Sequence, residues 1–200
     1  IIKNKNILDI GSGGNIFYNF NLANKLYALD ISENMLKNLN NSKITKLIQD
    51  ARDLSNIKRG SIDVVLMIFA IHHINGPDYK STIRSLQKVL SEANKVINSK
   101  GEIIIVELTL NDFFYLLQRS IYKITFKILN IFKTDMVFFY SKKIIEEGIN
   151  SIGIKTKVTV IDLKMSGWLD PFLGTFPGII KIPAFMMPTQ LRFFYLKKNN

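Results

Sequence analysis

Over the first 110 residues, short apolar runs alternate with stretches of helical period. Asn6–Ile10 is an apolar run that drops straight into Gly11-Ser-Gly-Gly-Asn15. That pattern predicts a buried parallel strand ending in a tight turn. Asn15–Asn24 has apolar residues at 16, 17, 20 and 22–23, which predicts a short helix. Lys25–Asp30 predicts a second strand ending in an acid. Ser32 is placed to cap a helix through Leu39, with Met35, Leu36 and Leu39 on one face. Ile44–Gln49 predicts a third strand that hands over to Asp50. Ile62–Phe69 is apolar throughout after Asp63, as a strand covered on both faces should be. Pro77 to about Ile97 predicts a helix, then the turn Ser99-Lys100-Gly101, then a fifth strand at Glu102–Glu107. This alternation predicts an α/β fold: a doubly wound, Rossmann-like sheet with right-handed crossovers.

The last third changes character. Asn111–Tyr140 is rich in Phe, Tyr and Ile, with Arg119, Lys123 and Lys127 four apart on one helical face. Ser141–Ser151 predicts a capped helix ending near Gly153, and Ile154–Ile161 and Gln190–Leu196 predict strands six and seven. The sixth strand should run parallel to the others and the seventh antiparallel, giving seven strands. Lys164–Thr189, between them, holds the single Trp and four of the five prolines. Segments 111–140 and 164–189 should both reach the ligand-binding end of the sheet, and both exceed the roughly two to six residues usual for such loops. We therefore expect them to be apolar lid insertions that wall a pocket or meet a partner. There is no internal repeat and no sign of a second domain.

Two hundred residues suit one domain with a substantial core. The chain opens on Ile1 and enters its first strand within about five residues, so a preceding helical segment is expected to be missing. No apolar run is long enough to span a bilayer, and there is no signal peptide. The absence of cysteine excludes disulfides, thiolate metal sites and a cysteine nucleophile. No metal is expected, and a cytoplasmic location is the default. The net charge of +11 permits binding to nucleic acid or anionic lipid. Lys and Asn abound beside Ile, however, as an AT-rich coding sequence would produce. Only five of the 27 basic residues are Arg, the residue nucleic-acid readers favour for bidentate contacts, so nucleic acid is not the expected partner.

In an open parallel sheet, ligands bind beyond the carboxyl ends of the strands, near the switch point. Asp30 follows Gly11 by nineteen residues, the spacing at which an acid ending strand two accepts hydrogen bonds from ribose hydroxyls. Dinucleotide dehydrogenases share this feature. They usually carry an apolar residue at the position of Asp9, however, and a Gly or Ala at that of Ile16. Five motifs stand in order: Leu8-Asp-Ile-Gly-Ser-Gly13, Leu29-Asp-Ile-Ser-Glu-Asn-Met-Leu36, Gln49-Asp-Ala-Arg-Asp-Leu54, Ser61-Ile-Asp-Val-Val65 and Ala70-Ile-His-His-Ile74. Together they resemble the class I S-adenosylmethionine (SAM)-dependent methyltransferases, in the small-molecule branch that includes ubiquinone/menaquinone-type enzymes. The resemblance covers Asn6–Glu107 well and the later strands loosely.

The resemblance implies SAM as cofactor and assigns roles to residues here. The turn Gly11, Ser12, Gly13 would cradle the methionine portion, with Asp9 ordering the loop or meeting the amino group. Asp30 would bind the ribose hydroxyls and Ile31 would pack on adenine. Asp50 would accept from the adenine amino group, and the Ala51 N–H would donate to a ring nitrogen. Phe69 and Ala70 would line the path to the methyl group. The family's third glycine falls at Asn15, whose tolerance of positive φ should preserve the turn. Asp53 and Asp63 read as structural acids, at a turn and a strand entry. His72 and His73 either pack or serve as a general base just past strand four.

The expected activity is methyl transfer to a small hydrophobic acceptor such as a quinone, isoprenoid, polyketide or lipid. An RNA or protein methyltransferase is the second reading, and a non-catalytic SAM-fold module at a membrane the third. The Asp/Asn-Pro-Pro-Tyr/Phe motif of amino-methyltransferases of nucleic acid is not found after strand four, where Phe69-Ala-Ile-His72 stands. The basic stripe at 119–127, beside a wide apolar face, fits either a membrane-interface helix or a packed lid helix with a solvated edge.

Overall fold

The computed structural model describes residues 1–152, 156–163 and 189–198. Their strands are β1 (Asn6–Ile10), β2 (Lys25–Asp30), β3 (Ile44–Ile48), β4 (Ile62–Ile68), β5 (Ile97–Leu110), β6 (Thr156–Leu163) and β7 (Thr189–Lys198). They form one seven-stranded sheet in the order β3-β2-β1-β4-β5-β7-β6. β7 is antiparallel to both its neighbours and the other six strands run parallel, as expected. The chain winds outward from β1 to β3 on one side and from β4 on the other. β1 and β4 therefore adjoin at the switch point, beyond which a doubly wound sheet leaves a crevice.

The central strands are apolar without alternation because both faces are covered. Ile7, Leu8, Val64, Val65, Met67 and Ile105 all have no exposed surface. Burial of each such side chain contributes roughly 1.5–3 kcal/mol. α2 (Tyr79–Val96) covers one face with Leu86, Val89, Leu90, Ala93 and Val96, which recur at helical period. Its start is held by a capping box: Asp78 Oδ1 accepts the Ser81 N–H at 2.8 Å, and Ser81 Oγ accepts the Asp78 N–H at 3.1 Å.

Three expectations are corrected. The helix expected over Asn15–Asn24 is only a 3-10 turn at Phe20–Leu22. Asn19, Asn21 and Asn24 compete with helical hydrogen bonding, and Ile16, Tyr18 and Phe20 pack on the sheet from an irregular backbone. The helix expected from Ser32 to Leu39 shrinks to α1 (Glu33–Leu36): Ser32 stands at the N-cap but its side chain caps nothing, and past Leu36 the backbone tightens into a turn in which the Leu39 N–H donates to the Leu36 carbonyl at 3.1 Å. Leu36 and Leu39 pack beside Ala28, whereas Met35 is 54 % exposed and turns to the crevice. The fifth strand begins at Ile97 and not at Glu102. β4 pairs Ile62 with Ile97 and then Val64 with Glu102, so the 98–101 turn is an excursion within the strand. Asn98 Oδ1 closes it by accepting the Lys100 N–H at 2.9 Å.

After β5 come α3 (Asp112–Ser120), α4 (Tyr122–Ile131) and α5 (Lys142–Asn150). Tyr115, Tyr122, Phe138 and Tyr140, with Met136 beside them, form a buried and mostly aromatic layer on α2 and the turn after β4. The Tyr122 hydroxyl donates to the Gly76 carbonyl at 2.6 Å, the Tyr140 hydroxyl to that of Ile74 at 2.6 Å, and the Phe138 N–H to that of His72 at 2.9 Å. Arg119 leaves the expected basic stripe, its guanidinium standing 4.3 Å from the Tyr79 ring centre. The second expected insertion, 164–189, lies outside the described residues except for Thr189, where β7 begins.

Candidate functional site

The turn leaving β1 sets the geometry. Gly11 and Gly13 have φ of +69° and +57°. A Cβ on Gly11 would stand 2.7 Å from the Ala70 Cβ, so only glycine lets this turn pass the end of β4. A Cβ on Gly13 would meet nothing within 4 Å: its surroundings are open. Asn15 is not among the left-handed residues, so the turn does not need the conformation expected there. The Gly11 and Ser12 N–H groups donate to the Leu29 carbonyl at 2.8 and 3.2 Å, tying the turn to β2.

Asp30, ending β2, accepts the Gly13 N–H at 3.2 Å and the Ser32 N–H at 2.9 Å. A carboxylate offers about four acceptor sites, so it retains capacity toward the crevice it lines. Asp50 follows β3 and is gripped by Arg52, with N···O distances down to 2.5 Å. The hydrogen bonds from Arg52 hold its carboxyl below the usual carboxylate range. Asp30, Ile31, Asp50, Ala51, Phe69 and His73 line one crevice of about 470 Å³. That volume suits a small-molecule site.

A second hollow of about 210 Å³ adjoins it, sharing Gly11, Gly13 and Phe69 and lined also by Asp9, Ser12 and Tyr18. Asp9 is 4 % exposed, and burial pushes its carboxyl up to about 7 despite the Tyr18 hydroxyl, which donates to it at 2.8 Å. Burial and the neighbouring Asp9 push the Tyr18 hydroxyl up in turn. The buried Ser12 Oγ has no hydrogen-bond partner among the described residues. A buried acid short of donors and an orphaned hydroxyl are what a site shaped for a polar ligand leaves behind.

The turn after β4, Ile71–His73, separates the two histidines. His73 lines the crevice. Burial, and next its neighbour His72, lower its pKa from the usual 6.5, so its imidazole is neutral at neutral pH. His72 does not line the crevice. Its Nδ1 lies 2.7 Å from Oε1 of Glu107, which is fully buried. The other Glu107 oxygen accepts the Ile71 and His72 N–H groups at 3.1 and 3.4 Å. The sequence reading passed over Glu107, although it carries the same signal as Asp9 and Asp30, an acid at the far end of an apolar strand. Asp135 and Met136 also reach the crevice wall, and Asn75 Nδ2 donates to the Met136 carbonyl. Asp53 and Asp63 serve structure, Asp53 accepting the Ser55 N–H at 3.0 Å and Asp63 that of Asn6 at 2.7 Å. Among the described residues no group of His, Asp and Glu is placed to hold a metal ion.

Residues 8–105, or 98 of the 200, match the family model described as a methyltransferase domain. No curated protein sequence matches the chain. Among solved structures, a Bacillus halodurans protein assigned as a methyltransferase is 15 % identical with a TM-score of 0.66, over 100 % of this chain and 95 % of its own. Geranyl diphosphate methyltransferase, solved with SAM, is 12 % identical with a TM-score of 0.67, over 99 % and 79 %. Phosphoethanolamine N-methyltransferase 2 of Haemonchus contortus, solved with phosphomonomethylethanolamine and S-adenosylhomocysteine, is 16 % identical with a TM-score of 0.62, over 100 % and 50 %. The chain has the Rossmann-like fold of these methyltransferases.

Proposed function

We infer that the methyltransferase domain matched by residues 8–105 is a working one, with SAM as its cofactor and a small, largely apolar molecule as its acceptor. One observation carries this reading: two abutting hollows share the Gly11–Gly13 turn and Phe69, and their linings differ in chemistry. The larger offers Asp30 to ribose hydroxyls, Ile31 to an adenine face, and Asp50 with the Ala51 N–H to the adenine edge. The smaller offers the buried Asp9 and the unpartnered Ser12 hydroxyl to an amino-acid head. A nucleoside joined to a methionine fits that pair.

When bound, SAM supplies an electrophilic methyl group on a sulfonium, so the driving force comes with it. The chain's task is to place the acceptor in line and keep water out. Phe69, Ile74 and Met136 make an apolar wall beside His73. Where the acceptor must lose a proton, the neutral His73 ring would take it as the acceptor's bond to the methyl carbon forms and the methyl–sulfur bond breaks, the electron pair staying on sulfur in S-adenosylhomocysteine.

The acceptors named for two of the similar structures, a geranyl diphosphate and a phosphoethanolamine, both carry phosphate, so the lining of this chain must decide its own acceptor. Arg52 is the one Lys or Arg on the described crevice wall, and Asp50 already holds it. That argues against a phosphate-bearing acceptor and for a quinone, isoprenoid, polyketide or lipid, as in the ubiquinone/menaquinone-type branch. No described helix is long and apolar enough to cross a membrane. We place the activity in the cytoplasm or at a membrane surface.

The test is methyl-tritiated SAM incubated with the full chain and, separately, a total lipid extract, total RNA and bulk protein. Label in the lipid arm is expected. Label confined to RNA or protein would replace the acceptor reading. Calorimetry showing no binding of SAM or S-adenosylhomocysteine would leave a non-catalytic module.

A further inference from the structure

α3 and α4 carry two apolar faces where a surface helix needs one. The inner face, with Tyr115, Tyr122, Phe126 and Leu129, packs into the core. The outer face lies open: Phe113, Leu117, Ile121, Ile124, Ile128 and Ile131 are between 45 % (Ile121) and 76 % (Ile131) exposed. Positions 121, 124, 128 and 131 are three or four apart, so on α4 they form one stripe. Lys123 and Lys127 flank it one turn apart and are exposed. Neither is paired with an acid among the described residues. None of the six apolar residues lines either hollow, so the stripe is an outward ridge.

We propose that this ridge seats the protein on an anionic phospholipid bilayer, with the isoleucines in the headgroup–acyl boundary and Lys123 and Lys127 on lipid phosphates. Two observations favour this occupant. The ridge's lysines complement a negative surface. A second copy would bring Lys123 and Lys127 of each chain together, on molecules that carry a net charge of +11 each. The stripe ends at Ile131, and four and five residues later Asp135 and Met136 stand on the crevice wall. A membrane-dissolved acceptor thus has a short path to His73. That last point rests on the acceptor reading above, whereas the membrane seat does not.

The test is sedimentation of the full chain with phosphatidylcholine vesicles and with vesicles that also carry phosphatidylglycerol. Wild type should pellet with the anionic vesicles. Lys123→Glu/Lys127→Glu and Ile124→Ser/Ile128→Ser should each lose roughly tenfold or more in partitioning. S-adenosylhomocysteine calorimetry on the same variants checks that they fold, and it separates a failed membrane seat from a failed cofactor site. The proposal is overturned if wild type stays in the supernatant. It is also overturned if the isoleucine variant pellets as wild type does, since overall charge would then explain the binding. A dimer in sedimentation velocity that Ile124→Ser/Ile128→Ser dissolves, without vesicle binding, would give the ridge to a second copy and overturn it too.

Discussion

Nδ1 of His72 and Oε1 of Glu107 stand 2.7 Å apart, deep enough that the carboxylate has no exposed surface. With the Ile71 and His72 N–H groups on its other oxygen, Glu107 fixes the whole turn that presents His73 to the crevice. Glu107→Ala would strand four buried or half-buried partners at once: the Ile71, His72 and Leu108 N–H groups and Nδ1 of His72. We expect a loss of about 2–4 kcal/mol in denaturant unfolding. Affinity for S-adenosylhomocysteine should stay within about threefold, because Asp30, Asp50 and the glycine turn are untouched. A variant with wild-type stability would show that the pair does not hold the turn.

Asp9 makes apo stability depend on pH. Its folded pKa of about 7 lies above the ordinary 3.8, so the folded chain keeps a proton that the unfolded chain releases. Its contribution is fully present below 3.8 and is lost as pH rises through about 7. Asp9→Asn removes the titration. The difference in Tm between variant and wild type should therefore grow in the variant's favour from pH 5 to pH 7.5. SAM affinity should fall in the same variant, since the buried charge is what would meet an amino group. A constant difference in Tm across that range would contradict the assignment.

The sheet was legible because its central strands are buried on both faces, and unbroken runs such as Val64–Ile68 can be little else at that length. The acids of the candidate site were legible for a related reason: Asp9, Asp30 and Asp50 break the apolar pattern where strands end. Other features depend on tertiary partners that spacing does not encode. Apolar residues at 16, 17 and 20 suit a helix as well as a loop pinned by Tyr18 on Asp9. His72 and His73 are neighbours in the chain, and only Glu107, 35 residues beyond His72, makes them face differently. Phe69 holds a φ of +51°, unusual for a bulky residue, with its N–H on the Val106 carbonyl at 2.9 Å. Nothing in its own sequence neighbourhood announces that conformation.

Asp30 has two tasks, holding the Gly13 and Ser32 N–H groups and facing the crevice. Asp30→Ala should lower S-adenosylhomocysteine affinity by roughly tenfold to a hundredfold, the equivalent of about 1.4–2.7 kcal/mol in lost charged hydrogen bonds. Because the group sits at a solvent-open crevice, the drop in stability should be smaller than for Glu107→Ala. Calorimetry and thermal unfolding on one preparation check both parts. Unchanged affinity would remove Asp30 from the cofactor site.

His73 is the residue whose role depends most on the acceptor. Its pKa is lowered, so a base at this position stays neutral through pH 7 and becomes protonated only below the usual histidine range. For an acceptor that must give up a proton, kcat/KM should therefore fall only at pH values below about 6.5. His73→Gln should flatten that limb and slow transfer by about a hundredfold to ten-thousandfold at neutral pH, the span general bases usually contribute. An acceptor already anionic or aprotic gives a different result, because positioning alone then suffices and the same variant loses little. Comparing the two acceptor types on one variant separates a proton-accepting His73 from one that merely packs. A packing residue would slow both equally and leave the acid limb where it was.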